Sequence, residues 1–396
     1  MNPDVESQEL LLSPHSRGSA TEVSRDEAPA TMHSQLPDEP TEVRFLKWIL
    51  FGENGIRVGW SVALFLVLTF LLTLILGVAG TLVAQKAFHA KVGEFTPATA
   101  ILQQSAEFLG VFGAAAVCSL IERRRILDYN LRGTNRIRHF FIGLAGGFIF
   151  LSALVGALFA GGWVHIGAVS LSGSAIFGFG ALWGVAFLLT GLCEEGMTRC
   201  YMLFTLSRGI NYWWALGAVS CISLFAYLNT QGNGPEGVYL MALLGVAPCL
   251  WLHLKNSASA GFWEAAWLTS TFFCYIHTFN SGETWIGIFS TAAIGFAFCV
   301  SVRLTGSAWW AIGFHASWDW AQTYLYGTAD SGIQPVGHYF TFKPAGSTLW
   351  SGGSDGPEGS LLIVPTVLLL IFALIIHYRG NTGGRTSSRS DQPQLS

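Results

Sequence analysis

The amino-acid sequence predicts an all-α fold, a polytopic membrane helix bundle with about ten transmembrane helices. Three observations predict it: only 11% of the 396 residues are charged, the mean hydropathy is positive, and long apolar runs recur along the chain. Soluble domains carry roughly 25% charged residues, and a bilayer core of ~30 Å requires about 20 apolar residues per spanning helix. Ten runs approach this length, at residues 59–84, 97–121, 140–164, 174–192 with a continuation to 207, 211–229, 237–254, 262–279, 284–304, 307–326 and 360–378.

The two ends of the chain differ from these runs in composition. Residues 1–43 are rich in Ser, Pro, Asp and Glu and contain nine acids against Arg17 and Arg25. Such a segment buries too little apolar surface to fold, so it is predicted to be a disordered acidic tail without a secretory signal. Residues 379–396 are predicted to form a second disordered tail.

The composition also excludes several classes of site. The seven cysteines lie within or beside apolar runs and show no C-x-x-C spacing, which indicates neither a disulfide framework nor a thiolate zinc site. The net charge is only −3, and the basic residues form no patch with interleaved aromatic residues. The expected partner is therefore the lipid bilayer, and no nucleic acid is expected.

Charges in the loops predict the orientation in the membrane. Positive charge in short loops marks the cytoplasmic side, and counting outward from the loop between the second and third runs places both termini in the cytoplasm. Lys86 and Lys91 in the first outer loop weigh against this orientation. The longest outer connection, residues 327–359, is predicted to be an extracytoplasmic ordered loop or lid. The cytoplasmic loop contains Arg123, Arg124, Arg125, Arg132, Arg136 and Arg138.

A short list of ionisable residues interrupts the apolar runs. Each costs roughly 2.5–3.5 kcal/mol to insert into a membrane, so such residues usually face a cavity and mark function. They are Glu107, Glu194, Glu195, Arg199, Glu264, His277, His315 and Asp319.

The stretch GLCEEGMTRC carries three of these residues. Glu195 and Arg199 are four residues apart with the acid first, which favours a structural ion pair on a helix. Glu194 points about 100° away around the helix and has no local partner. A buried carboxylate of this kind suits a general base or a metal ligand.

The two histidines allow both a functional and a structural interpretation. His277 ends the seventh run, where a single histidine is often an interfacial residue. His315 and Asp319 are four apart on the ninth run, so the acid can orient the imidazole or simply join helices through a hydrogen bond. Glu107 and Glu264 have no such partners in the sequence and are assigned to helix packing.

Three separate helices thus each carry one polar cluster. A helix bundle can bring such groups to one cavity. One Glu and two His can activate water by general base catalysis or bind a zinc-like ion. The combination favours hydrolysis, with a divalent metal such as zinc as one cofactor that the residues would accept.

These residues also form a pattern that resembles a known family. EEGMTR (Glu194, Glu195, Arg199), FCYIH (Phe273, His277) and HASWD (His315, Asp319) match the EExxxR, FxxxH and HxxxN/D motifs of the CPBP intramembrane proteases. This family includes the type II CAAX prenyl endopeptidases and bacterial Abi-type proteins. The motifs occur in the family order, and the resemblance covers about residues 174–326. It implies a catalytic transmembrane core there, after three helices in 44–173 and before the last helix, 360–378.

The resemblance implies a role for each matching residue. Glu194 would activate the attacking water with help from His277, while His315 and Asp319 would stabilise the oxyanion or take part in metal binding. If the enzyme is metal-dependent, Glu194, His277 and His315 are the implied ligands. The supporting residues would be Glu195, Arg199 and Phe273.

The chain departs from the family pattern at the second motif. At the usual distance from the first motif stands Asn229 of FAYLN, whereas His277 comes about 48 residues later. Either Asn229 occupies the motif position and the enzyme is inactive or altered, or a pair of membrane helices has been inserted and His277 is the functional residue. An amide cannot accept a proton as an imidazole does. We favour His277, because FCYIHTFNSGE continues like the family motif.

The resulting expectation is an intramembrane endopeptidase in a multi-pass membrane protein of the bacterial inner membrane. Its expected substrate is a membrane-embedded, prenylated or otherwise hydrophobic peptide. Two alternatives are kept: a catalytically inactive CPBP-like scaffold or immunity protein, and a proton-coupled transporter, which intramembrane Glu and His residues also suit.

Overall fold

The computed structural model describes residues 41–52, 55–88, 95–229, 234–280, 282–330 and 334–378. The predicted tails lie outside these ranges, apart from residues 41–43, which are helical. The chain divides into two compact units, residues 1–47 and 48–396. In the first unit, the described residues 41–47 belong to helix α1 (Thr41–Leu50).

Helices dominate the second unit, as the sequence predicts. Two short hairpin strands, β1 and β2, precede the long helix α2, and the strand β3 lies between α4 and α5. In chain order the elements are β1 (Phe51–Gly52), β2 (Gly55–Ile56), α2 (Val58–Phe88), α3 (Pro97–Ile121), α4 (Arg136–Ala160), β3 (Val164–Val169), α5 (Ser174–Glu195), α6 (Leu203–Leu206), α7 (Tyr212–Asn229), α8 (Pro235–Leu254), α9 (Ala260–His277), α10 (Trp285–Thr305), α11 (Trp309–Trp320), β4 (Phe340–Pro344), α12 (Thr348–Ser351) and α13 (Ile363–Tyr378).

Six helical segments among the described residues are long and apolar enough to cross a membrane. This confirms a polytopic all-α membrane bundle, but it is fewer than the ten runs of the prediction. Helices α11 and α13 are too short, and α9 is rich in Trp, Ser and Thr because other helices surround it: residues 264–271 are all buried. The six segments are α2, α3, α4, α8, α10 and the continuous stretch Ser174–Leu206.

The closest helix contact is made by glycines between α4 and α11. A Cβ atom at Gly143 would lie 2.1 Å from the Trp310 carbonyl oxygen, and one at Gly313 would lie 2.2 Å from that of Phe140. Small residues let helix backbones approach in membranes. The contact fixes α11, which carries His315 and Asp319, directly against the backbone of α4.

The stretch after α5 has an unusual helical geometry. The α-helix ends at Glu195 and continues as a π-helical segment, Gly196–Met202, before α6 begins. Such wide turns are rare and occur frequently at functional sites. Asn130 donates a 2.7 Å hydrogen bond from Nδ2 to the Arg199 carbonyl oxygen, which holds this segment against the α3–α4 connection.

The segment between α11 and α13 folds back onto the bundle. Strand β4 pairs antiparallel with β3, with Val164 opposite Pro344 and Ile166 opposite Phe342. The Trp163 and Trp350 rings stack at 5.2 Å. In its described parts, 327–330 and 334–359, the predicted loop or lid is therefore an ordered structure that contains a strand, a departure from a purely helical fold.

Candidate active site

Three helices bring their polar residues to one place. Glu194 stands at the end of α5, His277 at the end of α9 and His315 within α11. The Glu194 carboxylate oxygen Oε2 lies 4.0 Å from His277 Nε2 and 3.8 Å from His315 Nε2. The three residues that the sequence singles out from separate motifs therefore lie together in the structure, although Glu194 and His315 are 121 positions apart in the chain.

The orientation of His277 is set by its own helix. Its Nδ1 lies 2.8 Å from the Phe273 carbonyl oxygen, which can only accept, so Nδ1 carries the proton. The Phe273 ring packs edge-on against the imidazole at 4.7 Å. Nε2 is thus left with a lone pair on the side that faces Glu194.

His315 is held by acids on both of its nitrogens. Nδ1 lies 2.9 Å from Glu195 Oε1, and Nε2 lies 3.4 Å from Asp319 Oδ2. The sequence interpretation gave Glu195 a structural role beside Arg199 and left the orientation of His315 to Asp319. The structure adds a tertiary contact: Glu195 also orients His315, as carboxylates commonly orient functional histidines.

Arg199 balances the charge of Glu195 in a dry environment. Its Nε lies 3.3 Å from Glu195 Oε2, and both side chains are fully buried. The guanidinium lies over the Phe273 ring at 4.3 Å, a cation–π arrangement. A Cβ atom at Gly295 would lie 2.2 Å from Arg199 Nη2, so the glycine leaves room for the arginine. The predicted i, i+4 ion pair is therefore present and buried.

The alternative second-motif residue lies elsewhere. Asn229 is exposed at the end of α7, and its Nδ2 donates to the Phe225 carbonyl oxygen of the same helix. Since His277 lies beside Glu194, the geometry favours His277 over Asn229 as the partner of the first motif.

The other two intramembrane acids do have partners. Glu107 accepts a 3.0 Å hydrogen bond from Gln103 on its own helix, and Glu264 lies 3.9 Å from His253 Nδ1. The sequence interpretation found no partners for them. Gln103 is polar but uncharged, and His253 belongs to a different helix, so neither was evident from charge spacing.

Two further acids near the site were missed from the sequence. Glu358 accepts a 2.8 Å hydrogen bond from the Trp318 indole, and Asp330 accepts one of the same length from the Thr323 hydroxyl. Burial raises the pKa of Asp330 to about 7, with the negative charge of Glu358 as the next cause. Their only sequence signal is the presence of acids in the Gly-rich stretches TADSG and DGPEG.

The donor types at the site are those of a zinc ligand set. Among the residues that the structure describes, no group of three or more His, Cys, Asp or Glu side chains is placed to hold a metal ion. A metal ion bound by the two imidazoles and Glu194 therefore stays a prediction of the sequence, and we derive no step through one.

The arrangement suits a bound water. Distances of 3.8 and 4.0 Å are too long for direct hydrogen bonds, yet one water can bridge such a gap. Within the described ranges Glu194 Oε2 is buried and has no hydrogen-bond partner, so it is available to accept a proton. A carboxylate facing two imidazoles is an arrangement able to activate water.

Comparison with protein families agrees with these motifs. The family model described as "Type II CAAX prenyl endopeptidase Rce1-like" matches residues 249–321, a segment that contains His277, His315 and Asp319. Glu194 and Asn229 precede the matched segment. Comparisons with curated proteins and with solved structures gave no match. Residues 249–321 are thus similar to the Rce1-like type II CAAX prenyl endopeptidases, which supports the resemblance to the CPBP family.

Proposed function

We propose that the protein is an intramembrane endopeptidase that uses a glutamate-activated water. The observation that carries the proposal is the position of Glu194 Oε2, which is unpartnered among the described residues and lies within 4.0 Å of two imidazole nitrogens. The family match supports proteolysis as the reaction.

The proposed reaction begins with a water held between Glu194 and His277 Nε2. Glu194 takes a proton from the water as its oxygen attacks the peptide carbonyl carbon. The carbonyl oxygen becomes negative, and a proton on His315 Nε2 can stabilise it by hydrogen bonding. Glu194 then gives its proton to the leaving nitrogen as the C–N bond breaks, which regenerates the carboxylate.

The neighbouring residues would support this cycle by positioning. Glu195 fixes the ring of His315 through Nδ1, and Arg199 holds Glu195 in place through the ion pair. Asp319 lies beside His315 Nε2 and can accept its hydrogen bond between turnovers. Such buried support matters because a displacement of 1 Å can reduce a rate about 10²-fold.

We place the substrate among membrane-associated peptides, hydrophobic or prenylated. The site lies within a bundle with six candidate membrane spans, and the matched family model is that of a prenyl endopeptidase. The bacterial inner membrane is the location that we propose for the bundle.

The test is cleavage of quenched fluorescent peptides, farnesylated and unmodified, by the purified protein in proteoliposomes. Glu194→Gln should lower the rate by about 10²–10⁴-fold, because the amide cannot accept the proton from water. Glu236→Gln, the same change at an exposed acid of α8, should leave the rate unchanged. Full activity of the Glu194→Gln protein would overturn the proposal and favour a non-catalytic scaffold.

A further inference from the structure

A second group of acids adjoins the proposed catalytic site. We define the acidic cluster as Asp319, Asp330 and Glu358. Asp319 faces His315 Nε2 at 3.4 Å, while the other two acids are fixed by the neighbouring Trp318 and Thr323. The cluster therefore begins within one helical turn of the residue that would hold the oxyanion.

Among the described residues, His315 is the basic side chain paired with this cluster, and no Lys or Arg is paired with it. Among the described ion pairs, Asp319 is paired only with His315, and neither Asp330 nor Glu358 has a Lys or Arg partner. The nearby Arg199 is already paired with Glu195. Burial is the first cause that raises the pKa of Asp330 and the negative charge of Glu358 is the next, while His315 acts in the opposite direction.

An independent feature shows that the cluster lacks a hydrogen-bond donor. Gln322 is fully buried, and its Nε2 donates to the Ala329 carbonyl oxygen at 2.9 Å. Its amide also reaches the Glu358 carboxylate. The amide oxygen Oε1 has no hydrogen-bond partner in the described part of the chain. Buried acceptors are normally satisfied, so this one calls for a donor beyond the described residues.

We propose that the acidic cluster and Gln322 bind a cationic group of the substrate, an ammonium or guanidinium carried by a Lys or Arg next to the scissile bond. Such a group brings several N–H donors and the missing positive charge. Asp330 and Glu358 are half-buried rather than fully buried. A free carboxylate in the same place would be repelled.

This inference rests on the proposed function, because it gives that site a substrate class. It is tested with acetylated and amidated Ala/Leu decapeptides that differ only in one central residue, Lys, Gln or Glu. For the unmodified protein, kcat/KM should be at least about tenfold higher for the Lys peptide than for the Gln peptide, and lowest for the Glu peptide. Equal values for the three peptides would overturn the inference without any variant.

The double variant Asp330→Asn, Glu358→Gln removes the charges but keeps acceptors for Thr323 and Trp318. The Lys over Gln preference should fall towards one in this variant. Asp128→Asn, the same change at an acid of the α3–α4 connection, should retain the preference. If the double variant keeps the full preference, the cluster does not bind the cation.

Binding to the Glu194→Gln protein separates this inference from the proposed function. The Lys peptide should bind at least about tenfold more tightly than the Gln peptide, measured by fluorescence anisotropy in nanodiscs, whether or not any peptide is cleaved. Loss of cleavage with retained Lys selectivity would leave the subsite intact and refute only the protease. Equal binding of the two peptides would refute the subsite.

Discussion

Two acids near the site, Glu195 and Asp330, have opposite electrostatic surroundings. Glu195 faces a buried arginine at 3.3 Å, while Asp330 faces Glu358 and has no basic partner among the described residues. An acid that is paired with a base, here called balanced, is held in place and can orient another residue, as Glu195 orients His315. An acid without a basic partner, here called unbalanced, keeps its capacity to bind an incoming cation. Burial alone therefore does not distinguish a structural acid from a recognition site, whereas the presence or absence of a basic partner does.

Removing the arginine should turn the balanced pair into an unbalanced one, and this is the largest effect that we expect. Arg199→Met should lower the free energy of unfolding by about 3–5 kcal/mol, because Glu195 is left buried and uncompensated. The measurement is denaturant unfolding in detergent. Arg303→Met removes an exposed arginine that also lies near a Phe ring and should have little effect.

The double variant Glu195→Gln, Arg199→Met removes both charges and provides the control for this prediction. It should be more stable than Arg199→Met alone, since no buried charge is left without a partner. If the two variants unfold alike, the loss comes from the packing of the arginine and not from its charge.

The ion pair of Glu195 and Arg199 can support catalysis only if His277 belongs to the catalytic site. His277→Ala should lower the cleavage rate by about 10²-fold or more, because the water loses its imidazole partner. Asn229→Ala should change it little, since Asn229 is exposed and bonded to its own helix. Peptide cleavage by the two proteins in parallel is the measurement, and the reverse ranking would assign the second motif to Asn229.

Asp330 and Asp355 should make the free energy of unfolding depend on pH. Burial raises the pKa values of Asp330 and Asp355 from 3.8 to about 7. Between about pH 4 and 7 the folded protein keeps protons that the unfolded chain has lost, so the free energy of unfolding decreases as the pH rises through this range.

The thermal unfolding midpoint at pH 5, 6, 7 and 8 measures this effect. Asp330→Asn and Asp355→Asn together should flatten the decrease, because an amide does not titrate there. The prediction fails if the variant and the unmodified protein show the same slope.

A bound metal ion would also neutralise acids at the site. We expect the smallest effect of all from removing such an ion. Incubation with a zinc chelator should change the cleavage rate by less than about twofold, because the proposed reaction activates its water with Glu194 and includes no step through a metal. A loss of activity that added zinc restores would contradict this expectation.

Local sequence spacing predicted the local contacts of the site. The i, i+4 rule gave both Glu195 with Arg199 and His315 with Asp319, found at 3.3 and 3.4 Å. It could not give the bond between His315 and Glu195, which are 120 residues apart and meet only through the packing of α11 against α5. Asp330 and Glu358 were missed for the same reason, since their chain neighbours do not show that they fold towards α11.

The fold was predictable where helices face lipid and less so where they face each other. Helix α2 is apolar along nearly its whole length and was evident from hydropathy. Helix α9 is enclosed by protein, so its Trp, Ser and Thr residues satisfy internal contacts and lower its hydropathy. The β3–β4 pairing joins segments about 170 residues apart, which no local periodicity reveals.

The glycine contact between α4 and α11 limits the substitutions that the protein can tolerate. Gly143, Gly147 and Gly313 each face a backbone oxygen about 2 Å from where a methyl group would stand. An alanine at any of them would push α11 and its histidine away from Glu194. In a saturation screen for activity, we expect these three positions to tolerate change as poorly as Glu194 does, although none of them takes part in the chemistry.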